Sequence, residues 1–425
     1  MGGTGLKKDL GFFYVLLSGI GVILGAGVYA IIGKGVAMAG NSVWLSFVIG
    51  AVIASFTGLS YAELSSMFSK DAAEYNYTKR AFHRRGLAFL VGMSIILAGL
   101  MASSTVALGF AGYLFQLVGL PIAIGAAALL LALAAINFAG IKNSARFNAI
   151  GSLIEFSGLF IIILLGIGYI GKPGMDYLQS PGGFAGTISA VTLIFFAFIG
   201  FEDIVNLSEE TRNAKKVIPL VLMVALAVCT LLYVLVALSA VSILTPQQLA
   251  ASDAPLADVA AARMGPLAFP LLAVIALFAT GNTALLMLIA TSRVIYAIAR
   301  DRSLPRILSV VHTKRRTPHV AIAVLAALGL AVVFSSSMQF AAELTGVSIF
   351  IAYLMVNLAV VKLRFSRPQQ RRGFKVPISI GKFPLIPALG ALSCIVMLSF
   401  FDAKIMLLEA ALLAVGYVVY TAVTR

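Results

Sequence analysis

Four glycines fall within nine residues of one apolar run, Gly19-Ile-Gly21-Val-Ile-Leu-Gly25-Ala-Gly27. A second apolar run carries Phe195-Phe196-Ala197-Phe198-Ile199-Gly200-Phe201 and passes straight into Glu202 and Asp203. Glycines at this density let helices pack closely. They also let a helix unwind halfway across an apolar layer. Unwound backbone frees N–H groups at the start of a half-helix, where the dipole favours an anion such as a carboxylate. Gly200 follows Gly25 by 175 positions, so the two interruptions can occupy matching places in two halves of the chain. Paired interruptions of this kind point to a transporter binding site. Phe195, Phe196 and Phe198 either close a cavity there or simply pack.

A charged group inside an apolar run is costly and is a functional candidate by default. Glu155 lies about eight residues past the start of its run, roughly 12 Å deep at 1.5 Å per residue. Three roles stay open for it: carrying a proton, reading a cationic substrate, or serving as a structural acid satisfied by neighbouring hydroxyls. Glu202 and Asp203 either pair with cations as a gate or touch substrate. Asn282 and Thr283, in the middle of a later run, are further candidates. Glu63, Arg293 and Glu343 have plainer readings. Glu63 can reach water or cap a basic loop, and Arg293 can snorkel to the interface.

The elements that position these residues are long apolar helices. Of 425 residues, 61% are hydrophobic and only 11% are charged, with a mean hydropathy of +1.04. A soluble domain carries about 25% charged residues, so the composition excludes one, and it excludes a disordered chain. The net charge of +15 does not indicate nucleic acid, because the basic residues sit in short stretches between apolar runs rather than on one face. At about 20 residues per crossing, about twelve spans are predicted. They lie near 11–32, 42–68, 87–117, 121–140, 147–170, 185–206, 217–244, 268–299, 319–335, 338–361, 383–401 and 403–422. Only Ser335-Ser336-Ser337 separates the ninth from the tenth.

With the N-terminus inside, 26 of the 31 Lys and Arg residues fall on the cytoplasmic side. Lys34, Lys172, Arg263 and Lys404 fall outside, and Arg293 lies within a span. This asymmetry predicts both termini in the cytoplasm of a multi-pass protein of the cytoplasmic membrane, with anionic lipid headgroups as neighbours. Cys229 and Cys394 lie in apolar runs without metal spacing. His83, His312 and His319 are confined to basic loops. Neither a metal nor another cofactor is expected, and no nucleophile–base pair suggests an enzyme. A channel would want a repeated pore-lining ring, which the sequence does not show.

At its glycine-rich segments the sequence resembles the amino acid–polyamine–organocation superfamily of secondary transporters, in its prokaryotic amino acid permeases. GIGVILGAGVY at 19–29 is similar to that family's opening span. FFAFIGFEDIVNLSEETRNAKKVIP at 195–219 is similar to its sixth, with Asn213-Ala214 where relatives have Asn-Pro. Further matches are YAELSSMF at 61–68, INFAGIKNSARFN at 136–148, SRVIYAIARDRSLPRIL at 292–308, KRRTPHVAI at 314–322 and RFSRPQQRRGFKVP at 364–377. Ala72-Ala73 departs from the usual Gly-Gly before Glu74-Tyr75.

The resemblance implies an all-α membrane fold of two inverted five-helix repeats, 1–170 and 171–361, with two peripheral helices in 362–425. It implies alternating access to an amino acid, coupled to protons or run as exchange, with polyamines or other amines as the alternative small-molecule substrate. Substrate carboxylate would meet N–H groups near Gly25, Ala26 and Gly27. Its amine would meet carbonyls near Ile23 and between Phe196 and Ile199. Glu155 stands where some relatives carry a lysine, so that lysine's role cannot be transferred to it.

Overall fold

A computed structural model describes residues 11–24, 27–68, 73–139, 144–209 and 211–424. The first helices are α1 (Phe12–Leu24), α2 (Gly27–Ala39), α3 (Val43–Met67), α4 (Ala73–Phe82), α5 (Arg85–Val118), α6 (Ile122–Ala139), α7 (Ser144–Gly166) and α8 (Gly183–Ile194). Two stretches of 3-10 helix follow, Phe195–Phe198 and Phe201–Glu209. Then come α9 (Ala214–Ile243), α10 (Pro246–Ala251), α11 (Pro255–Met264), α12 (Ala268–Arg300), α13 (His319–Ser335), α14 (Met338–Ser366), α15 (Leu385–Leu398) and α16 (Ala403–Thr424). A two-residue hairpin pairs Ser379–Ile380 with Phe383–Pro384 and is a minor exception to an otherwise helical protein.

Among the described residues, nine stretches are long and apolar enough to cross a membrane, with α2 and α3 counted as one. Phe12–Leu24, His319–Ser335 and Leu385–Leu398 are shorter apolar helices. They overlap the predicted spans, except that Gly27–Met67 runs on through 33–41, which the sequence reading left between the first and second spans. The serine triad does separate two helices: Ser336 is extended and Ser337 caps α14, accepting the Phe340 N–H.

α5 packs along α12 and α14, and α3 packs along α9. α1 lies against α9 and α7, while α2 lies against α8 and α10. The two interrupted segments are therefore enclosed by α3, α7, α9 and α14. Helices α4, α10 and α11 occupy connections between spans. α4 is polar and amphipathic, and it docks on the end of α12, where the Tyr75 hydroxyl and Lys79 Nζ both donate to Asp301, the latter at 2.6 Å. Burial works against ionisation of Asp301, but the hydrogen bonds from Lys79 and Tyr75 outweigh it and hold its carboxyl below the ordinary range.

Candidate functional site

The sixth-span interruption is visible in the backbone. α8 ends at Ile194, Ile199 is extended, and Gly200 has φ +115°. That φ favours glycine, and a Cβ at Gly200 would lie 3.0 Å from the Val22 carbonyl oxygen of α1. The freed Gly200 N–H donates to Glu202 Oε2 at 2.9 Å, and the Tyr353 hydroxyl of α14 donates to the same oxygen at 2.7 Å. Glu202 therefore caps the break. Among the described residues its side chain is held by these two donors. Asp203 is half-buried in the same turn, near enough to act electrostatically on Glu202.

In the first span, α1 ends at Leu24 and α2 begins at Gly27. Gly25 and Ala26 lie outside the described residues. The two interrupted segments touch at Gly27, where a Cβ would stand 2.5 Å from the Ala197 Cα. One side chain joins them. The Tyr233 hydroxyl of α9 lies 2.7 Å from the Ile23 carbonyl, 2.8 Å from that of Leu24 and 3.0 Å from that of Ala197. Its single proton is shared among three oxygens that helix geometry leaves unpaired at the ends of half-helices. Ile23, Phe195, Phe196, Ala197 and Phe198 are all buried, while Ile199 is half-buried. The aromatics here pack: Phe195 against Phe350 with ring centres 4.6 Å apart, and Phe198 against Tyr233 at 5.5 Å.

Glu155 of α7 is 0% exposed, and among the described residues neither carboxyl oxygen has a hydrogen-bond partner. Tyr29 of α2 donates to its backbone carbonyl at 2.8 Å rather than to the side chain. Tyr29, Cys229 and Tyr233 all lie within electrostatic reach of the carboxyl, so it sits beside the joined breaks. One turn away on α7, a Cβ at Gly151 would stand 2.9 Å from the Asn282 side chain. Asn282 and Thr283 of α12 are buried, and the Gly151 contact brings Asn282 within a turn of Glu155 along α7.

Other polar residues of the spans serve the frame. Glu63 does cap a basic loop, and it does so without reaching water. It is 1% exposed, pairs with Arg364 at 2.6 Å and Arg372 at 2.9 Å, and accepts the Val376 N–H. Arg293 is exposed on α12. Sequence reasoning did not find Tyr233, Tyr353, Arg364 or Arg372. A tyrosine in an apolar run carries no periodicity that separates a bridge from a packing residue.

A helical membrane protein with joined interruptions in two spans has the architecture of a transporter. Residues 10–422 match the amino acid permease family, and the chain belongs to that family. It is 30% identical to the branched-chain amino acid permease BcaP of Bacillus subtilis over 100% of this chain and 94% of that protein. It is 28% identical to a methylthioribose transporter of the same organism, covering 99% and 94%. It is also 27% identical to the human cystine/glutamate transporter, covering 89% and 77%. The protein is thus a multi-pass membrane transporter of a small molecule and not an enzyme.

Proposed function

We propose that the chain is a secondary active transporter of amino acids, working by alternating access around the joined breaks of the first and sixth spans. The observation that carries this reading is the contact of Gly27 with Ala197, held by the Tyr233 bridge to the Ile23, Leu24 and Ala197 carbonyls. Irregular backbone within a membrane persists only where it is buried in protein or lines a cavity. Here it gathers half-helix ends of both spans in one place. The proposed frame is two five-helix halves, 1–170 and 171–361, with α15 and α16 at the periphery. Substrate carboxylate meets the N–H groups from Gly25 to Gly27, and its amine competes with Tyr233 for the carbonyls.

Proton coupling is assigned to Glu155. An ionised carboxylate without a partner is expensive in a low dielectric, so its ionisation requires that water or a cation reach it. A step that opens the site to one side then moves a proton with it. In proteoliposomes, Glu155→Gln is expected to retain substrate exchange and lose the acceleration that an imposed pH gradient gives the wild type. Equal gradient-driven accumulation by both proteins removes Glu155 from coupling. A changed preference between neutral and cationic substrates, with coupling retained, assigns it instead to reading an amine. The relatives' names include an amino acid, a thiosugar and an amino acid pair, so a panel of labelled amino acids and amines is the substrate test, and saturable counterflow separates carrier from channel.

Both termini are placed in the cytoplasm on the 26-residue basic asymmetry. Arg315 and Lys172 are exposed, and the native Cys229 and Cys394 are buried. A cysteine at Arg315 is therefore expected to label only from the cytoplasmic side, and one at Lys172 only from outside. The reverse pattern inverts the orientation.

A further inference from the structure

The faces of α3 and α9 turned away from the breaks enclose an open groove of about 490 Å³. Small residues create it. Val48, Ala51, Val52 and Ser55 recur at helical spacing on α3, facing Leu226, Ala227, Thr230 and Leu231 on α9. Alanine and hydroxyl side chains in both stripes leave the two surfaces short of each other. Ala51 and Leu226 are buried and form the floor, while Val52, Ala227 and Leu231 are exposed at the rim.

We propose that this groove binds an acyl chain of a membrane phospholipid, which braces the wall carrying Phe47 and Tyr233. Its two hydroxyls are turned inward: Ser55 donates to the Ala51 carbonyl at 2.8 Å and Thr230 to the Leu226 carbonyl at 2.6 Å. A bound water needs two to four polar partners, and the groove offers no free donor among these residues. Left empty, its lining forfeits dispersion contacts on one side. The stripe from Val48 to Ser55 rises about 10 Å at 1.5 Å per residue, all of it within a helix long and apolar enough to span. At that depth the surrounding solvent is hydrocarbon chains. An unbranched chain enters sideways from the bilayer and fills an irregular slot without a polar partner.

The wall behind the groove is the one that meets the breaks. Phe47 adjoins Val48, Tyr233 adjoins Val234, and their ring centres are 5.4 Å apart. Both rings pack on Phe198 of the sixth-span interruption. An occupied groove presses these turns inward and holds the Tyr233 hydroxyl over its three carbonyls, so lipid occupancy stabilises the joined state.

The chain has a single tryptophan, Trp44, one helical turn from Val48 on α3. In vesicles mixing ordinary and mid-chain-brominated phosphatidylcholine, Trp44 quenching is expected to show an early saturating component. Ala227→Phe fills the groove from its exposed rim and is expected to lower that initial slope several-fold. Thr230→Val keeps the shape and is expected to leave it unchanged. Mass spectrometry of the protein in mild detergent is expected to show one retained phospholipid that Ala227→Phe lacks. Quenching that simply follows the bulk brominated fraction in wild type and Ala227→Phe alike overturns the proposal. So does suppression of the early component by a rigid sterol and not by unbrominated phospholipid, which would make the occupant a polycycle. Should Ala227→Phe fail to elute as a single species, the wild-type slope against bulk fraction decides the question alone.

Discussion

Gly27→Leu is expected to abolish substrate binding and uptake while the protein still inserts and elutes as a folded species. A Cβ at this position meets the Ala197 Cα at 2.5 Å and its backbone nitrogen at 3.2 Å. Backbone atoms cannot swing aside as a side-chain end can, so the two interrupted segments must separate. Separation pulls the Ala197 carbonyl away from Tyr233, which also holds Ile23 and Leu24. Overpacking a well-packed contact costs about 1–3 kcal/mol, and that strain falls on the state in which substrate is held. Gly27→Ala is expected to give a smaller loss in the same direction. Gly281→Ala serves as control, since its Cβ meets nothing closer than 4.0 Å. Wild-type affinity in Gly27→Leu would return this glycine segment to a role in helix packing alone.

The spans were legible because each is a run of about 20 apolar residues, and a hydrocarbon layer leaves the backbone few alternatives to helix. The break at Gly200 was legible for a related reason: a glycine followed, after Phe201 alone, by Glu202 and Asp203 cannot continue an apolar helix cheaply. What joins the breaks was not legible. Tyr233 reaches Ile23 across 210 positions and Ala197 across 36, and only the packing of α9 against α1 brings them together. Glu202 stood out by its type and place, but its partners among the described residues did not: they are the Gly200 N–H and Tyr353, 151 positions away. Hydrogen-bond partners inside a membrane are chosen by which helices touch, and apolar periodicity says little about that choice. Glu155 was recognisable as an intramembrane acid. That neither of its oxygens has a partner among the described residues is a matter of packing, since the nearby Tyr29 hydroxyl bonds its backbone carbonyl instead.

Glu63→Ala is expected to destabilise the protein by about 3–5 kcal/mol, the usual cost of removing one partner from a buried ion pair. Glu63 is 1% exposed, and Arg364 and Arg372 are 4% and 7% exposed. Without the carboxylate, two guanidinium groups remain out of water beside each other. The loss is also structural. Glu63 accepts the Val376 N–H, Arg364 donates to the Val376 carbonyl, and Arg372 donates to the Leu363 and Arg367 carbonyls. These bonds strap the segment from Arg367 to Val376 across the ends of α3 and α14. Hydrogen exchange in that segment is therefore expected to accelerate in step with the fall in melting temperature. Salt separates this cluster from the half-exposed Lys79–Asp301 pair, which at 28% and 38% exposure is worth about 0–1 kcal/mol and is screened. Raising ionic strength is expected to loosen α4 and leave the Glu63 strap intact. Replacing Glu63, Arg364 and Arg372 together by apolar residues of similar volume is expected to cost far less than Glu63→Ala, because no charge is then left unpaired. A Glu63→Ala protein that melts with the wild type, or a triple variant less stable than the single one, would show that the cluster does not hold the strap through its charges.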